Sequence, residues 1–167
     1  MELLLAVTTL KRNGANKVHV VLTYLAYARQ DRPVKPYMSS CAADVMNFIK
    51  FAGADSLSVF DIHSEQTLSS AFGLPTTNLT ALSLIDKLID QEKLEGPVIV
   101  SPDAGGVKRA KTYISMRNEA KQEELALAVL DKTRAVANEV AKIVLLMGEV
   151  KDKDCVIVDD MIDTGVR

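Results

Sequence analysis

The fold of this chain is decided by the stretch Val156-Ile157-Val158-Asp159-Asp160-Met161-Ile162-Asp163-Thr164-Gly165. Its β-branched start predicts a short strand, and two adjacent carboxylates follow where that strand ends. Adjacent carboxylates repel each other unless cations or hydrogen-bond donors compensate them. Vicinal ribose hydroxyls can donate to both Asp159 and Asp160, while the turn at Thr164-Gly165 offers N–H groups to a 5-phosphate. The stretch therefore predicts a sugar-phosphate site rather than a solvated acidic turn.

Helical and strand patterns alternate along the rest of the chain. Periodic apolar residues predict helices over Met1–Leu10, from Ser39 or Ser40 to Gly53, from Asn78 to Gly96, and over Val107–Arg117. Short apolar runs predict strands over Val18–Leu22 (buried on both faces), Leu57–Ile62, Val98–Val100, Ala126–Leu130, Ile143–Met147 and Cys155–Val158. Strands separated by helices imply right-handed crossovers. The predicted class is therefore α/β, with parallel sheets covered by helices on both faces.

The chain divides into two related halves in this interpretation. The segment Phe72–Asn78 contains Gly, Pro, Thr and Asn, which is typical of a loop or a hinge. Each half has a strand that opens into a polar loop, and a later strand that ends in acidic residues. We therefore predict two domains, residues 1–77 and residues 78–167.

Two polar clusters in the first half follow predicted strands, where open parallel sheets bind their ligands. They are Tyr27-Ala28-Arg29-Gln30-Asp31-Arg32 and Asp61-Ile62-His63-Ser64-Glu65-Gln66. Guanidinium groups can grip phosphate oxygens, a Gln side chain can read a base edge, and a His can meet Mg²⁺-associated phosphate. The alternatives are a charged surface loop and a structural histidine. The other histidine, His19, falls within a predicted strand and is interpreted as a packing or surface residue.

Two further clusters lie in the second half. Ser101-Pro102-Asp103-Ala104-Gly105-Gly106-Val107-Lys108-Arg109-Ala110 puts a carboxylate at a strand end and two glycines before a helix, whose free N–H groups suit an anion. A carboxylate beside an anion site suggests a metal that bridges to phosphate, although a plain turn fits equally well. Lys132 and Arg134 lie in a segment typical of a mobile basic loop that could neutralise charge on a polyphosphate, or of an ordinary surface loop.

The composition excludes several classes of protein. The chain has 167 residues, 48% hydrophobic and 25% charged, which is ordinary for a globular protein. Its net charge of −2 gives no basic excess for binding nucleic acid or an anionic membrane. No apolar run approaches the roughly 18 residues that span a bilayer, and the N-terminus lacks a signal-peptide pattern. Cys41 and Cys155 have no metal-ligand spacing, so a reduced, cytoplasmic protein is expected.

Taken together, the clusters resemble ribose-phosphate pyrophosphokinase along nearly the whole chain. The stretch from Val158 to Gly165 matches the phosphoribosyl-binding loop that this family shares with type I phosphoribosyltransferases. The clusters at 27–32, 61–63 and 101–106 occur together, in this order, in the pyrophosphokinases and not in the transferases. The resemblance implies two phosphoribosyltransferase-like halves. It also implies transfer of the β,γ-diphosphate of MgATP to the C1 hydroxyl of ribose 5-phosphate, by a homo-oligomer of two or more subunits.

The same resemblance assigns roles to individual residues. It implies that Lys132 and Arg134 are the catalytic cations. It makes the ATP-binding residues Arg29, Gln30, Asp31 and His63, and the Mg²⁺ ligands His63 and Asp103. It assigns ribose 5-phosphate to Asp103, Asp159, Asp160, Asp163, Thr164 and Gly165.

The chain also departs from the family pattern. Val166-Arg167 stand where the phosphate loop usually ends in Gly-Thr, and Ser64-Glu65 stand where the family usually has Ala and a neutral residue. The family's chain is expected to extend beyond both ends of this one. The alternatives are a catalytically silent regulatory subunit that binds nucleotide, a phosphoribosyltransferase, and a structural α/β module. Retention of Lys132 and His63 favours an enzyme over the silent subunit, and the Arg29-Gln30 segment opposes a transferase.

Overall fold

The structure, a computed structural model, describes residues 1–70, 73–133 and 142–162. The chain forms two compact units, Met1–Ala81 and Leu82–Arg167. Each unit contains a sheet with parallel strands and α-helices, so the predicted α/β class is confirmed. The division predicted after residue 77 stays a prediction. In the described ranges, no helix is long and apolar enough to cross a membrane.

The described part of the first unit is a three-stranded parallel sheet that packs against two α-helices. Its elements are α1 (Glu2–Arg12), β1 (His19–Leu22), α2 (Cys41–Phe51), β2 (Ser56–Phe60), a short 3-10 helix (Glu65–Ser70) and β3 (Thr76–Leu79). The strands lie in the order β1-β2-β3. The core joins the sheet to the helices through Val20, Leu57, Val59, Val7, Met46 and Ile49. These residues fit the helical and strand periodicities expected from the sequence.

β1 differs from its prediction, because it is buried on one face only. Val20 is 5% exposed, whereas Val21 is 56% exposed. Successive side chains of a strand point to opposite faces, and the α1–α2 core contacts the face that carries Val20. His19 lies on the same face as Val21, and its ring nitrogens lie 2.6 Å from the Ser56 hydroxyl and 3.1 Å from the Ser58 hydroxyl. His19 is therefore a surface residue in a cross-strand contact, in agreement with its interpretation from the sequence.

The segment predicted as a loop or hinge contains a strand. β3 pairs in parallel with β2, with Thr76 opposite Leu57 and Leu79 opposite Phe60. Gly73, Pro75 and Asn78 favour a loop, but the β-branched Thr76 and Thr77 favour a strand. Asn78 does not cap the next helix; its side-chain oxygen accepts a hydrogen bond from the Ile62 N–H at 3.1 Å.

The second unit has a central strand that is buried on both faces. Its elements are α3 (Leu82–Gln91), β4 (Val98–Ser101), α4 (Val107–Lys121), β5 (Leu127–Thr133), β6 (Lys142–Met147) and β7 (Cys155–Ile157), with the strands in the order β6-β5-β4-β7. On one face of β4, Ile99 packs with Tyr113 of α4 and Leu82 of α3. On the other face, Val98 and Val100 pack with Ala128. β4 is therefore the strand around which this unit is built.

The sheet of the second unit is not entirely parallel. β5 and β7 run parallel to β4, but β6 runs antiparallel to β5. Only residues 134–141 separate β5 from β6, and a parallel crossover needs about a dozen residues or more. Lys132 was predicted in a loop, yet its backbone belongs to β5, opposite Ile143. The strand thus continues through the start of the predicted basic loop.

A charged network joins α3 to α4. The Arg117 guanidinium is 5% exposed and lies 2.6 Å from Asp86 Oδ1 and 2.8 Å from Glu123 Oε2. The Tyr113 hydroxyl also donates to Asp86, at 2.9 Å. Burial opposes ionisation of Asp86, but the hydrogen bonds from Arg117, Tyr113 and Lys121 outweigh it, so the pKa of this carboxyl lies below its ordinary value. Burial and the contact with Asp86 raise the pKa of Tyr113 to about 12.

We expect the network to make the second unit sensitive to acid. Because the pKa of Asp86 is lowered in the folded state, its contribution to the free energy of unfolding is complete above the ordinary Asp pKa of about 3.9. That contribution is lost as the pH falls through the lower folded-state pKa. Asp86→Asn should therefore lower the urea midpoint at pH 7 and lessen the further loss between pH 5 and pH 2. Parallel pH curves for the two proteins would contradict this expectation.

Candidate functional site

The first unit brings two of the predicted clusters to one edge of its sheet. β1 and β2 are adjacent and parallel, so the segments that follow them start at the same edge. Arg29, Gln30 and Asp31 follow β1, and His63 follows β2. Arg29, Gln30 and His63 are exposed. The predicted nucleotide-binding residues of the first unit therefore lie on two segments that leave the sheet at the same edge.

The segment at 27–31 is anchored by its own backbone. Leu25 and Ala28 are buried in the core on either side of Tyr27, which has a φ of 62° in the left-handed region. The Gln30 N–H donates to the Tyr27 carbonyl at 2.8 Å, and the Gln30 carbonyl accepts from the Ala42 N–H at the start of α2. These contacts fix a turn whose Arg29 and Gln30 side chains are exposed.

The loop that carries His63 is held by residues close to the end of the first unit. Asp61 has a φ of 43°, and its two carboxylate oxygens accept from the Thr80 hydroxyl and the Ala81 N–H, both at 2.9 Å. The next residue, Ile62, is buried and donates its N–H to Asn78. We name these contacts the Asp61 clamp. The clamp stabilises a backbone conformation at Asp61 that is unfavourable for a residue with a Cβ. It also fixes the position of the backbone immediately before His63.

The second unit gathers four predicted residues at the edge where three parallel strands end. β5, β4 and β7 are neighbours and run in one direction. Asp103 follows β4, Asp159 and Asp160 follow β7, and Lys132 lies near the end of β5. Ser101, the last residue of β4, pairs with Val129, so β5 continues beyond β4. The backbone of Lys132 therefore extends past the rim that carries the three carboxylates.

The Asp103 loop is a tight turn before α4. Asp103 Oδ1 accepts from the Gly106 N–H at 2.9 Å, and the buried Ser101 hydroxyl donates to the Asp103 carbonyl at 2.7 Å. A Cβ added to Gly106 would lie 2.8 Å from that hydroxyl. Only glycine fits there without movement of Ser101, which explains one of the two glycines that the sequence placed before the helix.

The acidic pair lies beside an arginine of α4. Arg109 Nη1 is 3.5 Å from Asp160 Oδ1 and 3.9 Å from Asp159 Oδ1. The Asp160 side chain is 6% exposed, that of Asp159 13% and that of Arg109 21%. Asp159 Oδ1 also accepts from the Asp160 N–H at 2.9 Å. The compensation that adjacent carboxylates require thus comes in part from Arg109.

The predicted residues and the observed site do not coincide completely. Arg134, Asp163, Thr164 and Gly165 lie outside the described residues, so their predicted roles stay predictions. No role was predicted for Arg109 from the sequence. One signal could have found it: the first turn of α4 contains Lys108 and Arg109 and no acid, against the usual preference at a helix N-terminus. In the described part of the chain, no group of three or more His, Cys, Asp or Glu is arranged to hold a metal.

Comparison with known proteins gives the same two-part layout. Residues 1–53 match the family model of the N-terminal domain of ribose phosphate pyrophosphokinase. Residues 77–167 match the model of the phosphoribosyl transferase domain. The crystal structure of phosphoribosylpyrophosphate synthetase from Mycobacterium smegmatis superposes with a TM-score of 0.80 at 32% identity, over 99% of this chain and 51% of that one.

Curated relatives agree with the structural match. The ribose-phosphate pyrophosphokinase of Ureaplasma parvum is 45% identical over 99% of this chain and 48% of its own length. That of Mycoplasma genitalium is 43% identical over 99% of this chain and 48% of its own length. The chain thus spans about half the length of the curated relatives it matches. Because both domain models match in order and the relatives align along nearly every residue, this chain belongs to the ribose-phosphate pyrophosphokinase family.

Proposed function

We propose that this chain carries the catalytic site of a ribose-phosphate diphosphokinase, which makes phosphoribosyl diphosphate and AMP from ATP and ribose 5-phosphate. One observation carries the proposal. Asp103 follows β4, the pair Asp159-Asp160 follows β7, and Lys132 lies near the end of β5; these neighbouring strands run parallel, and such sheets bind ligands at this edge. A carboxylate pair for a diol, an anion-binding turn and a cation are the groups that this transfer needs.

The reaction is a transfer of a diphosphate group. The C1 hydroxyl oxygen of ribose 5-phosphate forms a bond to the β-phosphorus of ATP. The bond from that phosphorus to the oxygen bridging the α- and β-phosphates breaks, AMP leaves with the bonding electrons, and the hydroxyl proton is released. Enzymes accelerate such transfers mainly by positioning the reactants and by neutralising charge.

Residue roles follow from chemical type. Asp159 and Asp160 accept hydrogen bonds from the two ribose hydroxyls, which orients C1. Asp163, Thr164 and Gly165 surround the 5-phosphate, as the resemblance implies. Lys132 and Arg134 neutralise charge that develops on the diphosphate and on the leaving AMP. In the first unit, Arg29, Gln30, Asp31 and His63 bind ATP, with the guanidinium on phosphate oxygens and the amide on the base edge.

The proposed cofactor is Mg²⁺, and the Asp103 loop suits it. Mg²⁺ binds through one or two carboxylates together with substrate phosphates and retained waters. Asp103 offers a carboxylate at this turn, and the Gly106 N–H already orients it by donating to Oδ1. We propose that Asp103 of the second unit is a Mg²⁺ ligand and a ribose contact. For the first unit, we propose His63 as a Mg²⁺ ligand. When bound, the ion would reduce the negative charge of the ATP phosphates.

The proposal also covers assembly and location. We propose a homo-oligomer of two or more subunits in the cytoplasm, with ATP and ribose 5-phosphate as ligands and with neither nucleic acid nor membrane as a partner. Support comes from the net charge of −2 and from the family. Sedimentation with and without MgATP tests the assembly.

Phosphorus NMR of the protein with MgATP and ribose 5-phosphate tests the function. We expect AMP signals together with a diphosphate on the sugar C1. Asp160→Asn should abolish most of the turnover, because an amide presents one acceptor oxygen where the carboxylate presents two. Shifted ATP signals without turnover would favour the nucleotide-binding regulatory subunit instead. Absence of both turnover and binding would contradict the proposal.

A further inference from the structure

The first turn of α4 breaks a general preference of helices. The free N–H groups of a helix N-terminus carry a partial positive charge, which favours acidic residues and disfavours cations there. α4 begins at Val107, has no acid in its first turn and places Arg109 in that turn. Departures from a local rule are expected at functional or strained sites, and this one lies at the edge where a parallel sheet binds ligands.

The position of Arg109 suggests what that cause is. Its guanidinium lies across both carboxylates of the acidic pair, at 3.5 Å from Asp160 and 3.9 Å from Asp159. These two distances exceed the roughly 3.2 Å limit of a good N–H···O hydrogen bond. For these atom pairs Arg109 therefore contributes charge rather than close hydrogen bonds. The side chains of Arg109 and both aspartates are largely buried, so solvent screens this charge less than at an open surface.

We propose that Arg109 is a positioning residue for ribose recognition: it holds Asp159 and Asp160 together, in the arrangement that accepts two neighbouring hydroxyls. The inference rests on the proposed function and adds a specificity determinant to it. Two adjacent carboxylates repel each other, so removal of the cation that lies beside both would weaken the compensation that keeps them in this arrangement. A separated pair can still bind one hydroxyl but not a diol. Arg109 thereby determines the preference for ribose over sugars that lack the 2-hydroxyl.

The test compares two sugar phosphates on the full chain. Titration calorimetry measures the dissociation constants of ribose 5-phosphate and of 2-deoxyribose 5-phosphate, for the wild type and for Arg109→Ala, Arg109→Lys and Lys111→Ala. Lys111 is an exposed residue of the same helix outside the proposed site, so it serves as the matched control. Thermal unfolding of each variant identifies any that fails to fold. If Arg109→Ala does not fold, Arg109→Lys still tests the role of the guanidinium group.

We expect the wild type to prefer ribose 5-phosphate. Arg109→Ala should weaken the binding of ribose 5-phosphate about tenfold, which is the effect of weakening one charge-assisted hydrogen bond. The dissociation constant of 2-deoxyribose 5-phosphate should stay nearly unchanged. Arg109→Lys should restore part of the preference, and Lys111→Ala should retain all of it. Equal weakening of both sugars by Arg109→Ala would mean a direct phosphate contact or a structural role, and would overturn the inference alone. No binding of either sugar by the wild type would overturn the proposed function itself, and this inference with it.

Discussion

Lys132→Ala is expected to slow formation of phosphoribosyl diphosphate by at least about a hundredfold, the usual effect of removing one group that stabilises transition-state charge. The residue lies near the end of β5, where that strand continues past the rim carrying the acidic residues. A cation there would act on charge that develops during transfer more than on the bound substrate. ATP affinity should therefore change little.

The measurement separates turnover from binding. Phosphorus NMR gives the rate, and calorimetry gives the dissociation constant of MgATP. Lys151→Ala is the control, because Lys151 is an exposed lysine of the same unit that has no proposed role. Equal losses of rate and affinity in Lys132→Ala would show that Lys132 binds ATP in the ground state, and the catalytic assignment would fail.

Arg117→Ala is expected to destabilise the second unit by about 3–5 kcal/mol, the cost of removing one partner from a buried ion pair. Arg117 is almost fully buried and contacts both Asp86 and Glu123. Its loss would leave the Asp86 carboxylate, which is also largely buried, with weaker compensation. Urea unfolding should show a lower midpoint, and hydrogen exchange at the amides of β4 should accelerate more than at those of β2.

Lys121→Ala provides a graded comparison within the same network. Lys121 contacts Asp86 at 3.3 Å and also contacts Asp90, whose side chain is 46% exposed. An exposed ion pair contributes little to stability, so this variant should lose much less stability than Arg117→Ala. Similar losses in the two variants would mean that burial does not set the strength of the network.

Much of the fold follows from periodicity. Among the described elements, α1, α2, α3, α4 and every strand except β3 lie where apolar spacing predicted them, since each element buries a face of its own period. β3 was missed because four residues between turn-forming neighbours carry too little pattern to outweigh a Gly and a Pro. The antiparallel direction of β6 was missed too. The spacing of apolar residues indicates where a strand lies. The direction of the strand depends on the length of the connection before it.

The candidate site was predictable only in part. The sequence motifs correctly placed Asp103, Asp159, Asp160 and His63 after the ends of strands. The residues that follow each predicted strand can be read directly from the sequence, and in a parallel sheet they lie at the carboxyl edge. Arg109 was missed, since its partners lie about fifty residues later and only the fold brings β7 next to β4. The Asp61 clamp was missed for the same reason. Its two partners, Thr80 and Ala81, look like ordinary linker residues in the sequence.

The Asp61 clamp has an evolutionary consequence. Asp61 and Thr80 form one contact, so the cost of replacing either residue depends on the identity of the other, and this site should show epistasis. Glycine adopts the backbone conformation of Asp61 with the least strain, but it removes the acceptor for the Thr80 hydroxyl. We therefore expect a lineage that changes Asp61 to change Thr80 as well. The two segments should vary together, although a strand and a helical turn separate them in the chain.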